Sequence, residues 1–178
     1  PLPFEAADKL VARLALAKAK AAAVFISARA TVSPSAGDKS TLHNETYLIA
    51  GSDQVAVIDN KIITKPHTHS NACEQLRRAS GREVIFLTSL CLYNTHTGAN
   101  QLTVVPYTVN FLPLTDLQIE NYLTKEQPYD CAGSFKSEGL GITLFESIQG
   151  DDPNTLIGLP LIALVKMLRE EGIDPLSQ

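Results

Sequence analysis

The runs E-V-I-F-L-T-S-L-C-L-Y at residues 83–93 and Q-L-T-V-V-P-Y-T-V-N-F-L at residues 101–112 decide the fold class. Both are rich in β-branched and aromatic residues, and a polar turn over Asn94–Asn100 joins them. This pattern predicts a long antiparallel strand pair. Pro106 inside the second run has no N–H to give to a ladder, so the strand should lie at a sheet edge or bulge there.

On the N-terminal side of this pair, Ser70 can cap a helix reaching about Ser80. Ala72, Cys73, Leu76 and Ala79 fall on its inward face, and Gly81 stops it. His67 and His69 precede it in an H-x-H arrangement; with no third ligand nearby in sequence, they read as solvated loop histidines. Further upstream, Val55–Ile58 and Lys61–Thr64 form a hairpin over Asp59-Asn60, a dipeptide suited to tight turns. Pro66 biases Lys65 toward an extended backbone. Tyr47–Ala50 reads as a short apolar strand that runs straight into Gly51-Ser52-Asp53-Gln54. Asp53 at such a strand end can serve chemistry or make an Asx turn, and the residues alone leave both open. Residues 4–25 carry Phe4, Ala7, Leu10, Val11, Leu14, Ala17 and Ala21 at helical spacing. Lys9, Arg13, Lys18 and Lys20 fit a solvated face, with nothing in the pattern to set Lys18 apart. Residues 26–46 lack periodicity and read as a long, mobile surface loop.

On the C-terminal side, Thr115 and Gln118 form a capping box, with Leu114 and Ile119 as a hydrophobic staple, for a helix ending near Gln127 before Pro128. The stretch from Tyr129 to Pro160 then holds glycines at 133, 139, 141, 150 and 158, with Lys136 and Glu138 between the first two. Glycines this dense let backbone N–H groups approach an anion, but they also make ordinary turns. Ile142–Phe145 reads as a strand. Pro160 opens a last helix with Leu161, Leu164, Val165 and Leu168 inward and Gly172 as its end. The order of elements predicts one α/β domain over residues 1–178, a mixed, twisted sheet flanked by helices.

Composition narrows the function. The chain has 178 residues, 44% of them hydrophobic, and a net charge of −4, which excludes a generalised nucleic-acid footprint. Lys18 and Lys20 interrupt the longest apolar stretch, so no membrane span is expected. The three cysteines, Cys73, Cys91 and Cys131, are odd in number and show no C-x-x-C spacing. They argue for reduced thiols in a cytoplasmic protein, and against a disulfide framework or a zinc site.

Several motifs in order carry a resemblance: G-S-D-Q at 51–54, T-K-P at 64–66, A-G-S-F-K-S-E-G at 132–139 and G-D-D-P-N-T-L-I-G-L-P-L at 150–161, with L-V-A-R-L-A-L-A-K-A at 10–19. Together they resemble the Maf family of nucleotide pyrophosphatases over nearly the whole chain apart from 26–46. The resemblance implies a fold related to the inosine-triphosphate pyrophosphatases, often dimeric. It implies Mg²⁺- or Mn²⁺-dependent hydrolysis of modified nucleoside triphosphates to monophosphate and pyrophosphate. By motif, Asp53 is the proton acceptor, a metal ligand, or both, and Lys18 and Lys65 face the triphosphate. Gln54 and Glu138 occupy positions that sort substrates. Gln54 after Asp53, with Lys136-Ser137-Glu138-Gly139 later, resembles the branch acting on 7-methyl-GTP rather than the branch acting on dTTP and UTP. The family also carries a non-catalytic alternative, a nucleotide-binding regulator of cell division. Lys136 receives no role. The family opens with a strand and an S-x-S-x-R-R-type phosphate motif, and neither lies in this chain, which begins roughly where the first long helix starts. The reading therefore expects either a preceding segment or a shortened form with an edge of the site missing.

The physical demands agree in kind. Attack of water on a densely anionic triphosphate needs charge neutralised by lysines and a cation, and a carboxylate to take the proton. A carboxylate such as Glu138 can accept hydrogen bonds from guanine N1–H and the 2-amino group and favours the positive charge of an N7-methylated ring.

Overall fold

The chain's computed structural model describes residue 2 and residues 5–32 and 46–177. Its centre is the strand pair that the sequence announces. β3 (Glu83–Asn94) and β4 (Asn100–Phe111) run antiparallel, in register from Glu83 opposite Asn110 to Tyr93 opposite Asn100. β1 (Leu48–Ile58) lies along the other side of β3, and β2 (Lys61–Ile63) pairs with the end of β1 through the expected hairpin. Asp59 and Asn60 both take positive φ, 50° and 60°, as the primed two-residue turn demands. β5 (Phe145–Gln149) closes the other edge, giving the order β2-β1-β3-β4-β5.

The helix-flanked α/β architecture is as expected, but the sheet is not mixed. All four pairings among the described residues are antiparallel. α2 (His69–Ala79) does join two strands of like direction, β2 and β3, but β1 lies between them, so no neighbours run parallel. Pro106 sits opposite Leu87 where β5, reaching only to Thr108, leaves the edge of β4 open; the bulge lies instead at Asn110/Phe111.

Other boundaries moved for local reasons. α1 (Ala7–Val32) continues seven residues past the expected end, so residues 26–32 are helical; the rest of the expected loop, through residue 45, lies outside the described residues. Thr68, not Ser70, caps α2 by accepting from Asn71 N. α3 (Asp116–Glu126) has the predicted Thr115/Gln118 capping box and ends on a left-handed Gln127. The strand expected at 142–145 is a tight 3₁₀ turn over Leu140–Leu144, and β5 follows it. A short α4 (Asn154–Ile157) precedes α5 (Leu161–Glu170), where Met167 is buried while Leu161 is exposed.

Period-two alternation divides the sheet into two faces. Val55, Val57 and Leu87 meet Leu10, Val11 and Leu14 of α1. On the opposite face Ala56, Val84, Phe86 and Val109 pack with α2, α3 and the ring of Phe135. α1 comes close because Ala15 and Ala19 face Gly51, where an added Cβ would strike Ala15 O and lie 2.8 Å from Ala19 N. That close approach positions the site.

Candidate active site

Gly51-Ser52-Asp53-Gln54 is not a break after a strand; it is the middle of β1, paired with residues 88–91 of β3. β2 pairs only with Ala56–Ile58, so beside Ser52–Gln54 the outer edge of β1 opens into a cleft of about 330 Å³. Alternation sends Asp53 toward α1 and sends Ser52 and Gln54 toward the α4 side. With α1 seated on Gly51, Lys18 reaches both Asp53 Oδ1, at 2.6 Å, and the carbonyl of Ser52, at 2.9 Å. Asp53 is mostly covered and Lys18 is half exposed, with side-chain exposures of 16% and 57%.

The other face of β1 fastens the α4 segment. Ser52 Oγ donates to Gly158 O at 2.6 Å. Gln54 Nε2 donates to Thr88 Oγ1 at 2.7 Å and to Thr155 O at 2.9 Å, and Thr88 Oγ1 donates to the same carbonyl at 2.9 Å. Gln54, expected to sort substrates, thus lines the cleft while its amide holds the cleft wall. Asp152 holds the far side of that wall: its carboxylate accepts from Asn154 N and Nδ2 and, at 2.8 Å, from Ile162 N. Burial opposes its charge, but these N–H donors prevail and hold the carboxyl below the usual range. A depressed folded pKa contributes stability above the ordinary carboxylate value and loses it as pH falls through the lower one. Urea unfolding is expected to show Asp152→Asn less stable than wild type by about 1–3 kcal/mol at neutral pH. The gap should close as the pH drops below about 4; a gap independent of pH contradicts this role.

The glycine-rich stretch supplies the opposite wall: Cys131, Ala132, Phe135, Lys136, Ser137 and Glu138 line the cleft with Lys65. Its glycines shape the loop more than they offer N–H groups to an anion. Gly139 N and Gly141 N both donate to Lys136 O, and an added Cβ on Gly141 would lie 2.8 Å from the Lys136 carbonyl carbon. Lys136 N donates to the Tyr122 hydroxyl at 3.1 Å, and burial pushes that phenol up, so it stays a neutral acceptor. Burial also pushes the Cys131 thiol up, against the pull of Lys136, which argues against a nucleophilic cysteine here. Glu138 is exposed at the rim.

All five residues singled out from sequence, Lys18, Asp53, Gln54, Lys65 and Glu138, therefore line one cleft, joined by Lys136. The family model described as "Maf-like protein" matches residues 2–171. The chain belongs to the Maf-like family. Among relatives of this family, the "7-methyl-GTP pyrophosphatase" of Nitrosococcus oceani is 51% identical over 172 residues, covering 97% of this chain and 77% of the relative. The protein of the same name from Pseudomonas syringae pv. syringae is 50% identical over 172 residues, covering 97% and 80%. What sequence reasoning missed in this Maf-like cleft are Ser52, Thr88 and Asp152, the residues that hold its walls. Only the strand register, with Gln54 opposite Thr88, reveals the middle one.

Proposed function

We propose that this cleft hydrolyses a nucleoside triphosphate, 7-methyl-GTP before others, to the monophosphate and pyrophosphate. The observation that carries the reading is Asp53, paired with Lys18 at the open edge of β1, with Lys65 and Lys136 lining the same cleft. Such a cleft places cationic side chains around a dense anion with a carboxylate among them. In the reaction Asp53 accepts the proton of a water whose oxygen attacks phosphorus, and the bond to the bridging oxygen breaks as pyrophosphate leaves. Lys18 orients Asp53, and Lys65 and Lys136 meet the phosphate charge. The names of the two relatives support the choice of base.

Mg²⁺ or Mn²⁺ belongs to the same proposal. The carboxylates lining the cleft are Asp53, Asp130 and Glu138. Among the described residues, no three metal-ligating side chains gather there. An oxygen donor set this sparse fits a cation that is held largely by substrate phosphates and water, with Asp53 as its protein ligand. When bound, such a cation neutralises charge on the phosphate oxygens. A homodimer and a cytoplasmic setting complete the reading: the family resemblance supports the first and three free thiols the second. No helix among the described residues is long and apolar enough to cross a membrane.

Glu138 reads the base in this account. Glu138→Gln is expected to lower kcat/KM for 7-methyl-GTP by about 10- to 100-fold, the worth of hydrogen bonds to a charged acceptor, with a much smaller change for UTP. Equal losses on both nucleotides sink the assignment. The function itself is tested by offering the full-length protein 7-methyl-GTP, GTP, UTP and dTTP with Mg²⁺ and measuring pyrophosphate. Fastest release from 7-methyl-GTP is expected. Faster turnover of UTP or dTTP moves the protein to the pyrimidine branch, and binding without turnover makes it a regulator.

A further inference from the structure

Away from the cleft, α2 and α3 bring together three side chains that the nucleotide chemistry does not use. His69 and Cys73 stand four residues apart on α2 and so share a face, and Glu120 of α3 meets them. His69 Nε2 lies 2.9 Å from Glu120 Oε2, and Cys73 Sγ lies 3.8 Å from the same oxygen. One ligand atom from each falls within 4.8 Å of the other two. In sequence the two histidines have no third ligand nearby, and the three cysteines lack zinc-site spacing. Folding supplies the missing ligand from 51 residues away.

We propose that His69, Cys73 and Glu120 form a binding site for one thiophilic divalent cation of the zinc class. Metal–ligand bonds of about 2.0–2.3 Å at tetrahedral angles separate ligand atoms by roughly 3.3–3.8 Å. Cation binding would widen the His69–Glu120 pair slightly and draw Cys73 Sγ closer to Glu120. The second nitrogen of the ring is already engaged: His69 Nδ1 lies 3.0 Å from the Tyr129 hydroxyl, which fixes the ring and leaves Nε2 for the cation. Sulfur, imidazole and carboxylate together favour zinc over magnesium or calcium, whose ligands are oxygens. Cys73 is buried, while His69 and Glu120 are partly open, with side-chain exposures of 39% and 56%, so water has room for the fourth position. On binding, the thiol proton passes to solvent and the thiolate becomes the ligand. The cation would tie α2 to α3. Through Tyr129, whose carbonyl accepts from His67 N at 2.9 Å, it would also steady the head of the glycine-rich loop. The site stands independently of the nucleotide reading.

Titration of the untagged chain with Co²⁺ tests it. Wild type should bind one ion per chain, show a thiolate-to-cobalt charge-transfer band in the near ultraviolet, and lose that band to one equivalent of Zn²⁺. Cys73→Ser should lose the band, and Tyr129→Phe should weaken Zn²⁺ binding by about 10- to 100-fold. Glu120→Gln, at an exposed position, should weaken it at least tenfold and reports even should Cys73→Ser not fold. The absence of the band in wild type, its survival in Cys73→Ser, or unchanged Zn²⁺ affinity in Glu120→Gln each overturns the site and leaves a His69–Glu120 hydrogen bond in its place.

Discussion

Asp53→Asn is expected to lower kcat for 7-methyl-GTP hydrolysis by about 10²–10⁴-fold, the usual span for removing a positioned general base. The substitution keeps the size of the side chain in the middle of β1, where the ladder to β3 is made by backbone groups. It also removes the pair with Lys18, but that lysine is half exposed and pairs of this kind are worth at most about 1 kcal/mol. The variant should therefore stay folded, with a melting temperature close to that of wild type, and still bind nucleotide. The loss should fall on kcat rather than KM, because the proton is transferred only in the transition state. Turnover within tenfold of wild type would show that another group takes the proton.

Phe135→Ala is expected to destabilise the fold by about 3–5 kcal/mol, read by urea unfolding. Phe135 is buried at the centre of an aromatic cluster, edge-on to Phe86 at 5.3 Å, Phe111 at 5.7 Å and Phe145 at 4.8 Å between ring centroids. No neighbouring chain segment can collapse into the space without moving β3, β4 or β5, so the cavity persists and its cost adds to the lost burial. The ring also lines the proposed nucleotide cleft, next in sequence to Lys136. Loss of the ring should thus raise KM as well as lower stability, while Phe135→Leu, which keeps most of the volume, should cost far less. A stability loss for Phe135→Ala below about 1 kcal/mol would mean that the loop is not anchored through this ring.

The core of the fold was legible because local rules and tertiary packing agree there. The β3–β4 pair, the Asp59-Asn60 turn, the inward face of α2 and the Thr115 capping box each follow from a pattern of a few residues. Where distant segments decide, the sequence misled. Gly51-Ser52-Asp53-Gln54 has the composition of a turn, yet it stays extended because Gly51 gives α1 the room to dock. The same docking separates Lys18 from the other lysines of α1, a distinction that periodicity could not draw. Around 140–145 the chain spends its residues on a 3₁₀ turn under the glycine loop, so the strand begins at Phe145. Lys18, Asp53, Gln54, Lys65 and Glu138, which share one cleft, are singled out by likeness of motifs rather than by chemistry read from spacing. The residues holding the cleft walls, Ser52, Thr88 and Asp152, bond to partners that become visible only in the fold.

The cleft at the open edge of β1 is the proposed nucleotide site. Amide NMR shifts on titration with a non-hydrolysable 7-methyl-GTP analogue in Mg²⁺ test it most directly. Shifts are expected to concentrate at Ser52–Gln54, Cys131–Glu138 and Leu156–Gly158, the segments lining the cleft, with quiet resonances along the solvent face of α5. Shifts centred on Leu161, Ile162 and Val165 of α5, with the β1 edge unmoved, would contradict it.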